Sequence, residues 1–235
     1  MIISDIHYEQ TYHHGVWEGE AYDWLLRMVR SARPASLIAL GDLGHAWAPV
    51  DWKNLTDLVP AHAIYGNHDN LDVLRSAVNR DGTKVLVDDG ETRTIRGLKF
   101  GFINGIMAKK GKLKVKDGVP RQTAEDFLSA ATKVHGVDVL ATHASPDLPE
   151  YGGRYHPSEE FEVLDKVIRE VNPALSVSGH LSGPYTLSKL RDSTILRIDS
   201  SPAELHYALL DPEAKRIRIL HNHEVVETGT FTRSS

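Results

Sequence analysis

The sequence predicts an α/β protein, because short apolar segments that end in polar clusters alternate with stretches of helical spacing. The strand signal lies in five apolar segments, namely residues 1–4, 37–40, 61–65, 137–141 and 175–178. The helical signal comes from apolar residues that share one face, namely Ala21, Trp24, Leu25, Met28 and Val29, and later Phe161, Leu164, Ile168 and Val171. This alternation is typical of a sheet whose strands are connected by helices.

The middle and the end of the chain predict antiparallel pairing. Residues 92–95 and 99–103 flank a turn that contains Gly97, and they predict a hairpin. Further segments predict a meander, namely residues 185–190, 195–198, 207–210 and 216–220. A mixed sheet or two packed sheets should result. Since no internal repeat, low-complexity tract or linker interrupts the sequence, we expect residues 1–235 to form a single domain.

Composition and charge limit the classes of function. Of the 235 residues, 41% are hydrophobic and 25% are charged, which is ordinary for a globular protein. No apolar run approaches the roughly 18–20 residues of a membrane helix, and the start lacks a signal peptide, so we expect a cytoplasmic protein with no membrane partner. A formal net charge of −5 argues against a surface wholly devoted to nucleic acid. Because cysteine is absent, any metal would be bound by histidine, carboxylate, amide or water.

Each apolar segment that carries the strand signal is followed at once by side chains that can bind metal. In chain order, these side chains are Asp5 and His7, then Asp42, then Asn67, His68 and Asp69, then His143, and finally His180. The carboxyl ends of parallel strands share one edge of an open α/β sheet, so we expect these distant residues to converge. Each residue alone has an alternative as a solvated or hydrogen-bonded polar group. Together they indicate a metal site.

The ordered motifs D-I-H, G-D-L-G-H, G-N-H-D, T-H and G-H-L-S resemble those of the calcineurin-like metallophosphoesterases across residues 1–211. The resemblance implies a layered fold in which mixed β-sheets are sandwiched by helices, in the order α/β/β/α. It also implies a metal-dependent phosphodiesterase or phosphatase, in which a metal-activated water hydrolyses a phosphate ester at a dinuclear site.

The same resemblance implies two divalent metal ions. Asp5 and His7 would bind the first ion, and Asp42 would bridge both ions. The remaining ligands of the second ion would be Asn67, His143 and His180. Oxygen and imidazole ligands of this kind suit manganese, iron, zinc, cobalt or nickel.

The resemblance also implies two catalytic residues, and it contains one departure. His68 would stabilise the transition state or protonate the leaving oxygen, while Asp69 would orient its imidazole. The family usually has a second histidine two residues after the one that corresponds to His180, as a ligand of the first ion, but this chain has Ser182. A serine hydroxyl is a poor replacement for imidazole, so we expect the first site to be weak.

Three functional hypotheses are compatible with these motifs. The leading one is hydrolysis of a phosphate ester, with a small molecule or nucleotide favoured over nucleic acid or phosphoprotein. The second is a nuclease, although 235 residues leave little room for extra nucleic-acid-binding segments. The third is a catalytically weak or inactive scaffold that uses the fold to bind partner proteins.

Some loop residues are candidates for substrate contact, with solvated surface positions as the alternative. His45 follows Asp42 closely, and Tyr8, Arg154 and His156 are expected near the same edge. Residues 109–116 are dense in lysine, which predicts either a solvated loop or a patch that attracts a polyanion.

Overall fold

The computed structural model describes residues 1–13, 15–108, 115–116, 118–148 and 158–232. The strands are β1 (Ile2–Ile3), β2 (Tyr12–His13), β3 (Val16–Trp17), β4 (Leu37–Ala39), β5 (Ala61–Ala63), β6 (Thr92–Ile95), β7 (Leu98–Ile103), β8 (Val115–Lys116), β9 (Val119–Pro120), β10 (Val139–Thr142), β11 (Leu175–Ser178), β12 (Tyr185–Leu190), β13 (Ser193–Ile198), β14 (His206–Asp211), β15 (Arg216–His221) and β16 (Glu224–Thr230). The helices are α1 (Ala21–Ala32), α2 (Pro49–Thr56), α3 (Leu71–Ser76), α4 (Ala124–Lys133) and α5 (Glu159–Val171). Within these described ranges, every helix is too short or too polar to cross a membrane.

Two six-stranded sheets form the centre of the fold. The first sheet has the order β16-β15-β14-β1-β4-β5, and β1, β4 and β5 are parallel to one another. The second sheet has the order β12-β13-β11-β10-β7-β6, and β7, β10, β11 and β13 are parallel. Each sheet therefore has a block of parallel strands whose carboxyl ends share an edge, flanked by antiparallel strands.

Apolar side chains divide the core into three layers. In β1, Ile2 packs between the two sheets, whereas Ile3 points to the opposite face and packs with the helices α1 to α3. Phe102 of β7 belongs to the layer between the sheets together with Ile2. On the outer face of the second sheet, Leu140 of β10 packs with helices α4 and α5. The layers run helix, sheet, sheet, helix, which confirms the predicted α/β/β/α fold.

Both helices predicted from apolar spacing form. Helix α1 is followed by the capping residue Arg33, which adopts the left-handed conformation with φ 45°. Helix α5 begins after Ser158, whose hydroxyl accepts a hydrogen bond from the Phe161 N–H at 3.3 Å, and it ends at Asn172 with φ 44°. Serine at the start and asparagine at the end are typical helix boundaries, and α5 covers the second sheet as its apolar face requires.

The predicted hairpin forms as β6 and β7, but the predicted C-terminal meander is wrong, because its strands belong to two sheets. Strand β13 pairs antiparallel with β12 and parallel with β11 in the second sheet. Strands β14 and β15 join the first sheet, where β14 lies next to β1. An apolar pattern of period two indicates a strand but does not select its partner, so the crossing after Ile198 was not predictable from the pattern.

The layer between the sheets supplies a stability test. Phe102 is fully buried there, so we expect Phe102→Ala to lower the free energy of unfolding by about 3–5 kcal/mol. Urea denaturation at equilibrium measures this change. The matched control is Val226→Ala in the exposed strand β16, where we expect a change within about 0.5 kcal/mol. Equal effects of the two substitutions would contradict the layered core.

Candidate metal centre

The side chains predicted to bind metal meet where the carboxyl ends of both sheets come together. Asp5, His7 and Asp42 follow β1 and β4 of the first sheet, whereas His143 and His180 follow β10 and β11 of the second. Hydrogen bonds between the loops fix their relative positions. The Asp5 and His7 N–H groups donate to the carbonyls of Gly41 and Asp42, both at 3.0 Å. The His180 N–H donates to the Asp5 carboxylate at 2.9 Å and so links the two sheets. The sequence predicts that these residues share the edge of one sheet, whereas the structure places them where the edges of two sheets meet.

Two groups of potential ligands share Asp42. Asp5, His7 and Asp42 form one group, and Asp42, His143 and His180 form the other, with the ligand atoms of each group lying within 4.8 Å of one another. One carboxylate oxygen of Asp42, Oδ1, lies 3.4 Å from His143 Nε2. The other oxygen, Oδ2, lies 3.9 Å from His7 Nε2. Asp42 therefore presents one oxygen to each group, which is the arrangement that a bridging carboxylate needs.

Three buried polar atoms around Asp42 lack a hydrogen-bond partner among the described residues. They are Asn67 Oδ1, His143 Nε2 and His180 Nδ1. His143 Nδ1 lies 2.7 Å from the Leu40 carbonyl, and since a carbonyl only accepts, Nδ1 carries a hydrogen and Nε2 is the nitrogen that can bind a metal ion once the ring is neutral. Leaving a buried polar atom unpaired costs about 1–3 kcal/mol, so three together need an explanation. His143 and His180 belong to the ligand group of Asp42, and Asn67 is tied to the same carboxylate by its backbone N–H. An amide oxygen and two imidazole nitrogens on these residues fit a divalent metal ion.

The electrostatics of the site also favour cations. Burial lowers the pKa of His143, but the adjacent charge of Asp42 outweighs burial and raises that pKa to about 10. Burial likewise opposes charge on His7, yet the carboxylates of Asp5 and Asp42 raise its pKa to about 9. The pKa of Asp42 itself is held below its usual range, because the charges of His143 and His7 outweigh its burial. A buried concentration of carboxylates therefore stabilises positive charge placed among them.

Asp69 has a different environment from the one expected for a partner of His68. Its Oδ2 accepts hydrogen bonds from the N–H groups of Gly66 at 2.6 Å and Asp42 at 3.0 Å, and its Oδ1 accepts one from Leu43 at 2.8 Å. These hydrogen bonds give Asp69 a structural role, while the expectation that it also orients the His68 imidazole stays a prediction. The buried carboxylate holds the loop after β4 against the loop after β5. Burial, followed by the charge of Asp42, raises the pKa of Asp69 to about 6.

His68 lines a cavity of about 450 Å³ beside the ligand groups, together with His7, His45, Glu9 and Glu18. Its backbone N–H donates to Asp42 Oδ1 at 2.7 Å, which ties the loop to the shared carboxylate. Its ring centroid lies 5.4 Å from that of His7. Burial lowers the pKa of His68, and this favours the neutral imidazole.

The residues predicted to contact substrate differ in where the structure places them. His45 lies in the same cavity as His68, with 6.1 Å between their ring centroids. The ring of Tyr8 instead packs against Tyr22, at a centroid distance of 5.6 Å, in an aromatic cluster. Arg154, His156 and residues 109–114 lie outside the described residues.

A second cavity of about 220 Å³ contains residues that the motifs did not single out. Glu18 and Asp199 line it together with Asp5, His7 and Ser182. A signal for Asp199 exists, since it directly follows β13, which is parallel to β11 and ends at the same edge. The assignment of β13 to an antiparallel meander concealed that signal. Glu18 follows the short β2–β3 hairpin, and we find no sequence pattern that would have placed it here.

The fold and this site define a layered α/β/β/α protein with clustered carboxylate and imidazole ligands at the carboxyl ends of its strands. A family model described as calcineurin-like phosphoesterase matches residues 1–184, and the chain belongs to that family. Comparison with curated protein sequences gave no match.

Solved structures share the fold at low sequence identity. The protein TT1561 of Thermus thermophilus has a TM-score of 0.65 and 15% identity, over 94% of this chain and 97% of that chain. GAP50, described as the anchor in the inner membrane complex of Plasmodium, has a TM-score of 0.57 and 10% identity, over 100% of this chain and 88% of that chain. These similarities support the architecture, while function has to be argued from the site.

The hydrogen bonds of Asp69 generate a test of its role. Asp69→Asn replaces one carboxylate oxygen by an amide nitrogen that cannot accept, so at least one buried N–H loses its acceptor. We expect the metal-free variant to unfold with a free energy about 1–3 kcal/mol lower than that of the wild type. The control is Asp81→Asn in an exposed turn, where one side-chain oxygen serves both hydrogen bonds from Thr83. Unchanged stability combined with a slower reaction would instead support an orienting role for Asp69.

Proposed function

We propose that this protein hydrolyses phosphate esters with the help of two divalent metal ions. The observation that carries the proposal is the set of unpaired buried atoms on Asn67, His143 and His180 around the shared carboxylate of Asp42. Membership of the calcineurin-like phosphoesterase family supports the same chemistry. The ions would polarise the phosphoryl oxygens and lower the pKa of a bound water from about 15.7 towards about 7.

The residues of this chain divide the work between them. Asp5, His7 and Asp42 would hold the first ion, and Asp42 would also complete the second site. The remaining ligands of the second ion would be Asn67, His143 and His180. Asp69 fixes the loops that carry Asp42 and Asn67 by accepting the backbone N–H groups of Asp42, Leu43 and Gly66. The sites are therefore supported by hydrogen bonds that do not involve the ligand atoms themselves, which is how ligand positions are maintained before metal binds.

His68 acts on the substrate rather than on the metal. Its side chain lines the larger cavity, and its lowered pKa favours a neutral imidazole with one N–H donor. That donor stabilises negative charge on a phosphoryl or leaving oxygen in the transition state. His45 lies in the same cavity and contributes to substrate contact.

A small phosphate ester or nucleotide fits this site better than nucleic acid does. The cavity of about 450 Å³ beside His68 is the size of a small-molecule site. Two carboxylates, Glu9 and Glu18, line it, and they repel a substrate with many phosphates. The overall net charge of −5 adds to that repulsion. The scaffold hypothesis gives no reason for three unpaired buried ligand atoms, so we place it second.

The shared carboxylate gives the first test of this function. Asp42→Asn keeps an oxygen that can accept the N–H groups of Asn67 and His68, but it removes the charge that faces both ligand groups. We expect the variant to lose both ions and nearly all hydrolysis. Metal content after dialysis and turnover of an artificial phosphodiester measure the two effects. Asp211→Asn is the control, because Asp211 Oδ1 also accepts two backbone N–H groups, but in an exposed turn. Undiminished metal content and turnover in Asp42→Asn would contradict the dinuclear site.

His68 provides the second test. We expect His68→Ala to retain the metal content of the wild type but to hydrolyse the same diester roughly 10²–10⁴-fold more slowly, as is usual when a proton donor is removed. His223→Ala, which removes an exposed histidine far along the chain, should change neither quantity. A His68→Ala variant that loses metal would show that His68 is a ligand.

A further inference from the structure

The cavity of about 220 Å³ beside the first ligand group contains more carboxylate than that group uses. Asp5 and His7 form one part of its wall, and Ser182, Asp199 and Glu204 form another. Asp199 is only 5% exposed, so its carboxylate faces the buried interior of the site rather than solvent. A buried carboxylate beside a second one is costly unless a cation or a donor lies between them.

Asp199 is held against the loop in which serine replaces the usual histidine. Its Oδ2 accepts the N–H of Gly183, the residue after Ser182, at 3.1 Å, and its Oδ1 accepts the N–H of Ser201 at 2.9 Å. The Ser201 side chain also hydrogen-bonds to this carboxylate, so three donors share its roughly four lone-pair positions and capacity for one more hydrogen bond remains. The Asp199 carboxylate is thus fixed in position beside the loop in which Ser182 replaces the family's histidine, and it can still accept a hydrogen bond.

The loop does not depend on Asp199 alone for its conformation. The buried guanidinium of Arg197 donates to the carbonyls of Leu181 and Gly183, both at 2.7 Å, from the same strand β13. Arg197 thus anchors the loop on both sides of Ser182 through hydrogen bonds that are separate from those of Asp199. The loop therefore has support that does not depend on the charge of Asp199, and that charge lies in the wall of the cavity beside Asp5.

We propose that Asp199 is a positioning residue of the first metal site, whose carboxylate holds water ligands of an ion bound by Asp5, His7 and Asp42. This inference rests on the proposed function. The carboxylate acts through water because the compact group of ligand atoms within 4.8 Å of one another contains Asp5, His7 and Asp42 but not Asp199. The cavity between them has room for several water molecules. Water held by this carboxylate would then supply a ligand that a histidine at the position of Ser182 would otherwise supply.

This arrangement makes the two metal sites chemically different. The first site would have two carboxylates, one imidazole and water, whereas the second would have two imidazoles in addition to its oxygen ligands, with the protein groups taken from the two clusters around Asp42. Carboxylate and water ligands suit Mn²⁺ and Mg²⁺, while imidazole suits Zn²⁺. We therefore infer that the first site selects Mn²⁺ or Mg²⁺ more strongly than the second site does.

Titration of metal-free protein with Mn²⁺, with the free ion followed by electron paramagnetic resonance, tests this inference without relying on activity. We expect two classes of site in the wild type, a tight class and a weak class. Asp199→Asn should weaken the weak class by about 10–100-fold, which is the usual effect of losing a partner of a metal ligand, and should leave the tight class unchanged. The unchanged tight class also reports that the variant is folded.

Two further variants test whether the weaker binding of Mn²⁺ comes from the Asp199 carboxylate itself. Glu204→Gln removes a negative charge from the wall of the same cavity and should leave both classes unchanged. Adding Ser182→His to Asp199→Asn should restore the weak class and raise its preference for Zn²⁺, because an imidazole then fills the position held by water. Restoration with this change of preference supports the proposal.

Three results would overturn it. These are an unchanged weak class in Asp199→Asn, an equal loss of both classes in that variant, or an equal effect of Glu204→Gln. If the wild type bound neither Mn²⁺ nor Zn²⁺, the proposed function would fail together with this inference. Two classes of site that Asp199→Asn does not alter would remove this inference alone.

Discussion

The buried carboxylate of Asp42 is the group on which the arrangement of the site depends. Its Oδ1 accepts the backbone N–H groups of Asn67 and His68, and the same oxygen lies 3.4 Å from His143 Nε2. Its Oδ2 faces His7 at 3.9 Å. A buried charge is stable only where donors or cations surround it. The loops after β1, β4, β5 and β10 must therefore converge on one side chain. This requires the carboxyl ends of the strands of the two packed sheets to lie next to each other at this point.

Much of the fold and the site was predictable because the signal is local. A run such as Leu37–Ala39 indicates a buried strand, and the polar residues directly after it mark the carboxyl end of that strand. The pattern therefore predicts that Asp5 and His143 lie close together, and the structure places them in two groups that share Asp42. It did not reveal that they follow strands of different sheets. Strand partners depend on tertiary packing, which a period-two pattern does not encode.

Some side chains have contacts that depend on orientation and that the sequence pattern does not encode. The family resemblance implies that Asp69 pairs with His68, and the structure adds that the turn directs the Asp69 oxygens to the N–H groups of Leu43 and Gly66. Asp199 went unnoticed because the pairing of β13 was misassigned. Glu18 enters the site through a hairpin whose strands have two residues each, and strands of that length carry no detectable alternation. In each case the sequence shows the chemical type of the residue but does not show which residues it contacts in the fold.

The backbone of the site is strained in a way that explains its residue types. Asp5, His7, Asp42 and His180 all have positive φ angles, between 48° and 66°. Such conformations cost about 1–3 kcal/mol each and persist only where the surrounding structure enforces them. Aspartate and histidine tolerate them better than most residues, and both bind metal. Hydrogen bonds between the loops and the buried layers beneath them offset the cost during folding. Contacts within the protein thus direct these candidate ligands towards a common point, and they supply part of the energy that orders these loops.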